Sequence, residues 1–369
     1  MEATRHIPVM LEEVLFWLVQ EGGRAYLDCT VGYSGHAEKI LEASGPNSRL
    51  IGLDRDEVAI AASRERLARF GSRVLLFHGH FVDLKQHLTF GGMGQVDGIL
   101  LDLGISSPQL EEPVRGFSFQ GDGPLDMRMD QSMSETAADL VNRWPEAQLA
   151  DTIFQFGEER FSRRIARAIV QARERYPLAT TKELVSVIEG AVPANYRHGR
   201  IHCATRTFQA FRIAVNQELD CLEPALRDAV DMLSPGGRLC VISFHSLEDR
   251  IVKHTLRTLS SADDSGLVVL TKKPQVPSRE ESGRNLDPAV PSCELPNGCP
   301  GRTVYESGND CGRGAVGLHI CVGTCGCRST GLPDRTIEDA ENIAGARQGS
   351  IASEGFCADG SRADCEAGD

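Results

Sequence analysis

Arg24-Ala-Tyr-Leu-Asp-Cys-Thr-Val31 followed by Gly32-Tyr-Ser-Gly35-His36 and Ala37-Glu-Lys-Ile-Leu-Glu-Ala43 reads as a buried strand, a glycine turn and a helix. The next apolar run, Arg49-Leu-Ile-Gly-Leu-Asp54, closes on an acid 22 residues after Gly32. That is the offset at which a nucleotide-binding crossover sets a carboxylate on ribose hydroxyls. Two further strands are expected at Arg73–Phe77 and Val96–Asp102, with helical stretches such as Glu57–Phe70 between them. Strands that alternate with helices make a parallel, doubly wound, Rossmann-like α/β sheet, with ligands at the strand C-termini. The alternation stops near residue 130, where a helical region takes over; it resumes with a helix from about Asn216, the turn Ser234-Pro-Gly-Gly237 and the strand Arg238–Phe244. The helical region is therefore an insertion.

Gly32-Tyr-Ser-Gly35 has neither the Lys-Ser or Lys-Thr of a phosphate-gripping loop nor a full G-x-G-x-x-G. S-adenosylmethionine suits it better, because that cofactor carries no phosphate: the turn need only let the backbone approach, while Asp54 accepts from the ribose. At the end of the fourth strand stands Leu101-Asp102-Leu-Gly-Ile-Ser-Ser-Pro-Gln109. Enzymes that methylate amines carry a short acidic or polar motif ending in proline here. An exocyclic amine is a poor nucleophile, since its lone pair is delocalised into the ring. It needs acceptors that hold its hydrogens as the methyl arrives, and Asp102 or nearby carbonyls can supply them.

The chain has 369 residues, 41% hydrophobic and 25% charged, with a net charge of −13. That is globular material for two domains and a tail. Residues 160–212 run against the average, with 11 Lys or Arg and 3 acids. Within them Phe161, Ile165, Ala168, Ile169 and Ala172 keep helical spacing while Arg160, Arg163, Arg164 and Arg167 fill the other positions, so an amphipathic helix with a basic face and a polyanion partner are expected. The N-terminus has no basic n-region and no long apolar run, which excludes a secretory signal or membrane span and implies a cytoplasmic protein. Cys321-x3-Cys325-x-Cys327 with His319 matches no usual zinc knuckle, and no metal is expected.

Six motifs make the resemblance specific: His6-Ile-Pro-Val-Met-Leu-Glu-Glu-Val14, Gly104-Ile-Ser-Ser-Pro-Gln-Leu110, Arg115-Gly-Phe-Ser-Phe119, Asp122-Gly-Pro-Leu-Asp-Met-Arg-Met129, Ala204-Thr-Arg-Thr-Phe-Gln-Ala210 and Ile242-Ser-Phe-His-Ser-Leu-Glu-Asp-Arg250. Over roughly residues 5–285 the chain resembles the RsmH (MraW) family, which methylates N4 of a cytosine in the decoding region of 16S ribosomal RNA. The resemblance implies a methyltransferase domain at 1–129 and 216–285, a helical substrate-recognition domain at 130–215, and S-adenosylmethionine as cofactor. It implies that Ser34, Gly35, His36, Asp54, Phe81, Asp102 and Gln109 line the cofactor site, with Asp102 the catalytic candidate and Arg163, Arg164 and Arg167 on RNA. The implied partners are the small ribosomal subunit and, as an option, a second copy in a homodimer. Two positions depart from the family: Ser34 stands where glycine is usual and Cys203 where proline is usual. A serine forced to φ > 0 costs about 1 kcal/mol.

Each residue also has a plain structural reading. Asp54 or Asp102 could cap a helix, His36 could be a solvated loop residue, Phe81 core, the arginines a solvated face, and His245 and Glu248 could either touch substrate or order a turn. From residue 286 the sequence changes character: eight of the twelve cysteines follow it. With one nucleotide restored after codon 285, a back-translation of Leu286–Gly298 reads Pro-Arg-Ser-Arg-Ser-Ala-Lys-Leu-Arg-Ala-Ala-Glu-Arg, the pattern of the family's last strand. Residues 286–369 are accordingly expected to be an out-of-frame, disordered tail, leaving Leu267–Thr271 as an unpaired sheet edge. A catalytically impaired binder of RNA and S-adenosylmethionine is then the alternative function, and an amino-methylating enzyme of DNA a more distant one.

Overall fold

The computed structural model describes residues 8–199, 201–261, 267–271, 273–277 and 317–323. These belong to a unit spanning Met1–Gly326; a second unit, Cys327–Asp369, lies outside the described residues. The first half alternates as expected: α1 (Leu11–Leu18), β1 (Ala25–Asp28), α2 (Gly35–Ala43), β2 (Arg49–Asp54), α3 (Glu57–Leu67), β3 (Val74–His78), α4 (Leu84–Phe90), β4 (Val96–Asp102) and α5 (Ser107–Glu111). Helices α6 (Ala137–Arg143), α7 (Glu146–Gly157), α8 (Ser162–Arg173), α9 (Thr181–Ala191), α10 (Ala194–Arg197), α11 (Thr205–Asn216) and α12 (Leu222–Asp231) follow. The chain then returns to the sheet with β5 (Leu233–Ser243), α13 (Ser246–Ser260), β6 (Leu267–Val269) and β7 (Gly317–Gly323).

The strand order is β3-β2-β1-β4-β5-β7-β6. The first five strands are parallel, and β7 runs antiparallel to both β5 and β6. Connections leave β1 in one direction to β2 and in the other toward β4, so the switch point lies between β1 and β4, where a doubly wound sheet opens a crevice. Leu27, Ile51, Ile99, Leu101 and Val241, all fully buried, form the sheet's core. A second cluster, around Leu140, Ile153, Ile165 and Phe211, holds the helical insertion together and also takes in Leu110, Phe117, Leu125, Met127 and Met129. Helix α8 is amphipathic as its spacing foretells: Ile165, Ala166 and Ile169 are buried, and Arg163, Arg164 and Arg167 are exposed.

One expectation is corrected. The sheet does not lack its last strand, because Gly317-Leu-His-Ile-Cys-Val-Gly323 lies between β5 and β6, with Leu318, Ile320 and Cys321 fully buried. His319 is also buried, and its Nε2 lies 2.9 Å from Asp249 Oδ1 on α13. A seven-residue run free of proline and rich in apolar side chains satisfies the ladder that Pro288, Pro291 and Pro296 could not. The rest of 286–369, those prolines included, lies outside the described residues. Among the described residues no helix is long and apolar enough to cross a membrane.

Candidate active site

Three carboxylates end three adjacent strands: Asp54 on β2, Asp28 on β1 and Asp102 on β4. The glycine turn sits above them. Gly32 has φ 50° and donates its N–H to Asp54 Oδ2 at 2.8 Å, while the Asp56 N–H reaches Oδ1 at 2.8 Å. Burial pushes the Asp54 carboxyl up to about 6 against those two donors. Each carboxylate oxygen keeps a lone pair for a further donor. Asp54 does not cap α3; Asp56 does, accepting from the Val58 N–H at 3.0 Å.

Ser34 is left-handed, with φ 64° and ψ 24°, at the N-cap of α2, so the strain expected of a serine at a glycine position is present. Its buried hydroxyl has no hydrogen-bond partner. A Cβ on Gly35 would run into Pro8 Cγ, so the segment before α1 closes over this turn. His36, next in the chain, is buried rather than solvated: Nε2 lies 2.9 Å from the Val9 carbonyl and Nδ1 3.4 Å from Asp102 Oδ2. Burial alone would lower its pKa, but Asp102, with Asp28 and the Val9 carbonyl, holds it above the ordinary value. Asp102 donates its own N–H to Thr30 Oγ1 at 2.6 Å and caps nothing; its Oδ1 is buried and unpartnered.

Gln109 is buried, with its amide committed at both ends. Nε2 donates to Asp56 Oδ2 at 2.7 Å, and Oε1 accepts from the Ser106 N–H at 3.0 Å. It shapes the turn after β4, and one Nε2 hydrogen and one Oε1 lone pair remain for a further partner. Phe81 is half-buried beyond β3, packed on the sheet core with its ring centroid 4.2 Å from that of His80. Burial, helped by Arg55, lowers His80 to about 4, so the neighbouring ring is neutral. The structure thus brings Ser34, Gly35, His36, Asp54 and Asp102 to one edge of the sheet. Arg163, Arg164 and Arg167 belong to the insertion, where Arg167 makes only a loose 3.6 Å pair with Glu146.

Two residues of this site carried no role in the sequence. Asp28 is 1% exposed, and burial, with Asp102 and Asp54 acting the same way, pushes it up to about 7. Its signal was available, since it is the acid that ends the first strand, four residues before Gly32. Arg115 is 3% exposed: Nη1 donates to Asp56 Oδ2 at 2.8 Å, and Nη2 to the carbonyls of Arg128 and Met129 at 3.1 and 3.0 Å. That pairing ties the tip of β2 to the start of the insertion. Asn216 completes the tie by accepting from the Met129 N–H and donating to the Met127 carbonyl, which holds Met127 at φ 63°.

His245 and Glu248 order a turn, forming a capping box at the start of α13. Donor atoms of Glu218, His245 and Glu248 lie within 4.8 Å of one another. They are already occupied: Arg212 grips both Glu218 oxygens, Glu248 Oε2 accepts from Phe244 and His245, and His245 Nδ1 accepts from the Glu248 N–H. That last bond puts the ring proton on Nε2, so neither nitrogen offers a metal a free lone pair.

Residues 3–295 match the sequence model of the MraW methylase family. The chain belongs to that family. Over 280 residues it is 51% identical to a ribosomal RNA small subunit methyltransferase H of Synechococcus elongatus, covering 76% of this chain and 90% of that one. A protein of the same name from Pelobacter propionicus is 54% identical over 258 residues, 70% of this chain and 82% of its own. This MraW-family chain is therefore an S-adenosylmethionine-dependent methyltransferase. The residues present suit that cofactor. The Ser34 hydroxyl beside the glycine turn is a buried polar atom that lacks a partner, and such an atom is costly unless something fills its hydrogen bonds.

Proposed function

We propose that this methyltransferase modifies the exocyclic N4 amine of a cytosine in the decoding region of 16S ribosomal RNA, within the small subunit in the cytoplasm. The observation that carries the reading is Asp102 Oδ1, a buried acceptor with no partner at the switch point of the sheet, one strand removed from Asp54. Relatives at about half identity bear a small-subunit methyltransferase name, which supports the RNA substrate.

S-adenosylmethionine, when bound, supplies an electrophilic methyl group. Asp54 accepts from its ribose hydroxyls, and the left-handed turn at Ser34 and Gly35 lets the backbone come close to its methionine part. Phe81 offers an apolar face beyond β3 for a flat base. Asp102 Oδ1 would accept an N–H of the cytosine amine and draw that nitrogen toward pyramidal geometry, so that its lone pair could take the methyl as the methyl–sulfur bond breaks, with S-adenosylhomocysteine leaving and the amine's proton passing to the carboxylate. Arg163, Arg164 and Arg167, exposed on one side of α8, hold RNA phosphates. No observation favours an impaired binder once β7 completes the sheet.

The test is to incubate the protein with isotopically labelled S-adenosylmethionine and small subunits that lack the modification, then digest the RNA for mass spectrometry. Label in N4-methylcytidine from the decoding region is expected. Label on a ring carbon or another base, or none at all, contradicts the reading. Reversing the three arginines to glutamate should weaken RNA binding and lower its logarithmic salt slope by roughly 0.7 to 0.9 for each phosphate no longer held. An unaltered slope would make this an ordinary solvated face.

A further inference from the structure

The contacts of His36 set a proton between its ring and Asp102. The Val9 carbonyl, 2.9 Å from Nε2, can only accept, so Nε2 carries a proton. In a neutral ring the Nδ1 lone pair would then face Asp102 Oδ2 at 3.4 Å, setting acceptor against acceptor. A proton must lie between them. Asp28 on β1 also faces the ring, Asp54 on β2 acts on Asp28, and α1, packed against α2, carries Glu12 and Glu13 in its first turn. Of these groups Asp102 and Asp28 act on the ring and favour a charged imidazole, in keeping with the raised pKa of His36.

We propose that His36 is a positioning residue for methyl transfer: anchored on the Val9 carbonyl and protonated at Nδ1, it occupies Asp102 Oδ2 and leaves Oδ1 as the bare acceptor for the substrate amine. The segment ahead of α1 thereby acts on the reaction through one ring. The proposal rests on the role given above to Asp102, and the Asp102→Asn variant tests that role separately.

The experiment uses the full chain, S-adenosylmethionine and unmethylated small subunits, with kcat and KM measured across pH for the wild type, His36→Gln and Asp102→Asn. In His36→Gln, kcat should fall tenfold or more while KM for S-adenosylmethionine stays within twofold. Wild-type kcat should decline at alkaline pH, where His36 loses its proton, and His36→Gln should lack that decline. An unchanged kcat, or a loss lying wholly in KM, would overturn the proposal by making the ring no more than a wall of the cofactor site. Full turnover by Asp102→Asn would instead remove Asp102 from the reaction, whatever His36 does. Should His36→Gln fail to fold, 15N-histidine NMR of the wild type decides: both His36 nitrogens protonated at neutral pH is the expected result, and an unprotonated Nδ1 there contradicts it.

Discussion

Asp28 illustrates how this site sets folding against function at the scale of one residue. A carboxyl with an ordinary value of 3.8 stands at about 7 in the folded chain, chiefly through burial. The folded state holds that proton more tightly than the unfolded one. The resulting stability is full below about pH 4 and is lost as pH rises through about 7. Asp28→Asn cannot ionise, so its melting temperature should gain on the wild type as pH goes from about 5 to about 8. A difference that stays constant with pH would show that Asp28 titrates normally. Ser34 makes a second case: glycine there relieves the left-handed strain and removes a buried unpaired hydroxyl, so Ser34→Gly should raise stability by about 1 kcal/mol in thermal melts. The place of Asp54 at the end of β2, against the Gly32 turn, was legible in the sequence because it depends on an offset along the chain. The pairing of His36 with the Val9 carbonyl and Asp102 was not, since it joins three segments whose approach only the fold decides.

At the scale of elements, the periodic segments were readable: β2 and β4 fall at their expected bounds, and α8 shows the basic face its spacing implied. Connections between elements were not. The turn after β4 is held by Gln109 and Arg115 converging on Asp56, and a buried arginine looks like any surface arginine in a sequence. This network predicts that Arg115→Ala, which strands the Asp56 carboxylate in the interior, costs about 3 to 5 kcal/mol in denaturant titration. A loss below about 1 kcal/mol would mean that the pair behaves as an exposed one. Arg115 also bonds the carbonyls of Arg128 and Met129, so the same variant should loosen the entrance to the insertion and raise KM for RNA.

Over the whole molecule, the shift of frame expected at codon 285 implied a sheet missing a strand, and the structure places Gly317–Gly323 there instead. The sequence drew attention to the prolines nearest the change of composition, whereas a strand can be recruited from anywhere the chain reaches. Truncation after residue 285 should therefore lower the melting temperature, because it uncovers β5 and removes the buried Leu318, Ile320 and Cys321. Equal melting of the two forms would mean that β7 contributes nothing and that the edge is open after all. The nearest test of the central claim, that the carboxylate-lined edge of the sheet holds S-adenosylmethionine, is calorimetric titration of the cofactor into the wild type and Asp54→Ala. The expected result is a ten- to hundredfold loss of affinity, about 1.5 to 3 kcal/mol, in a variant whose circular dichroism is unchanged. Unaltered affinity in that folded variant would contradict the claim.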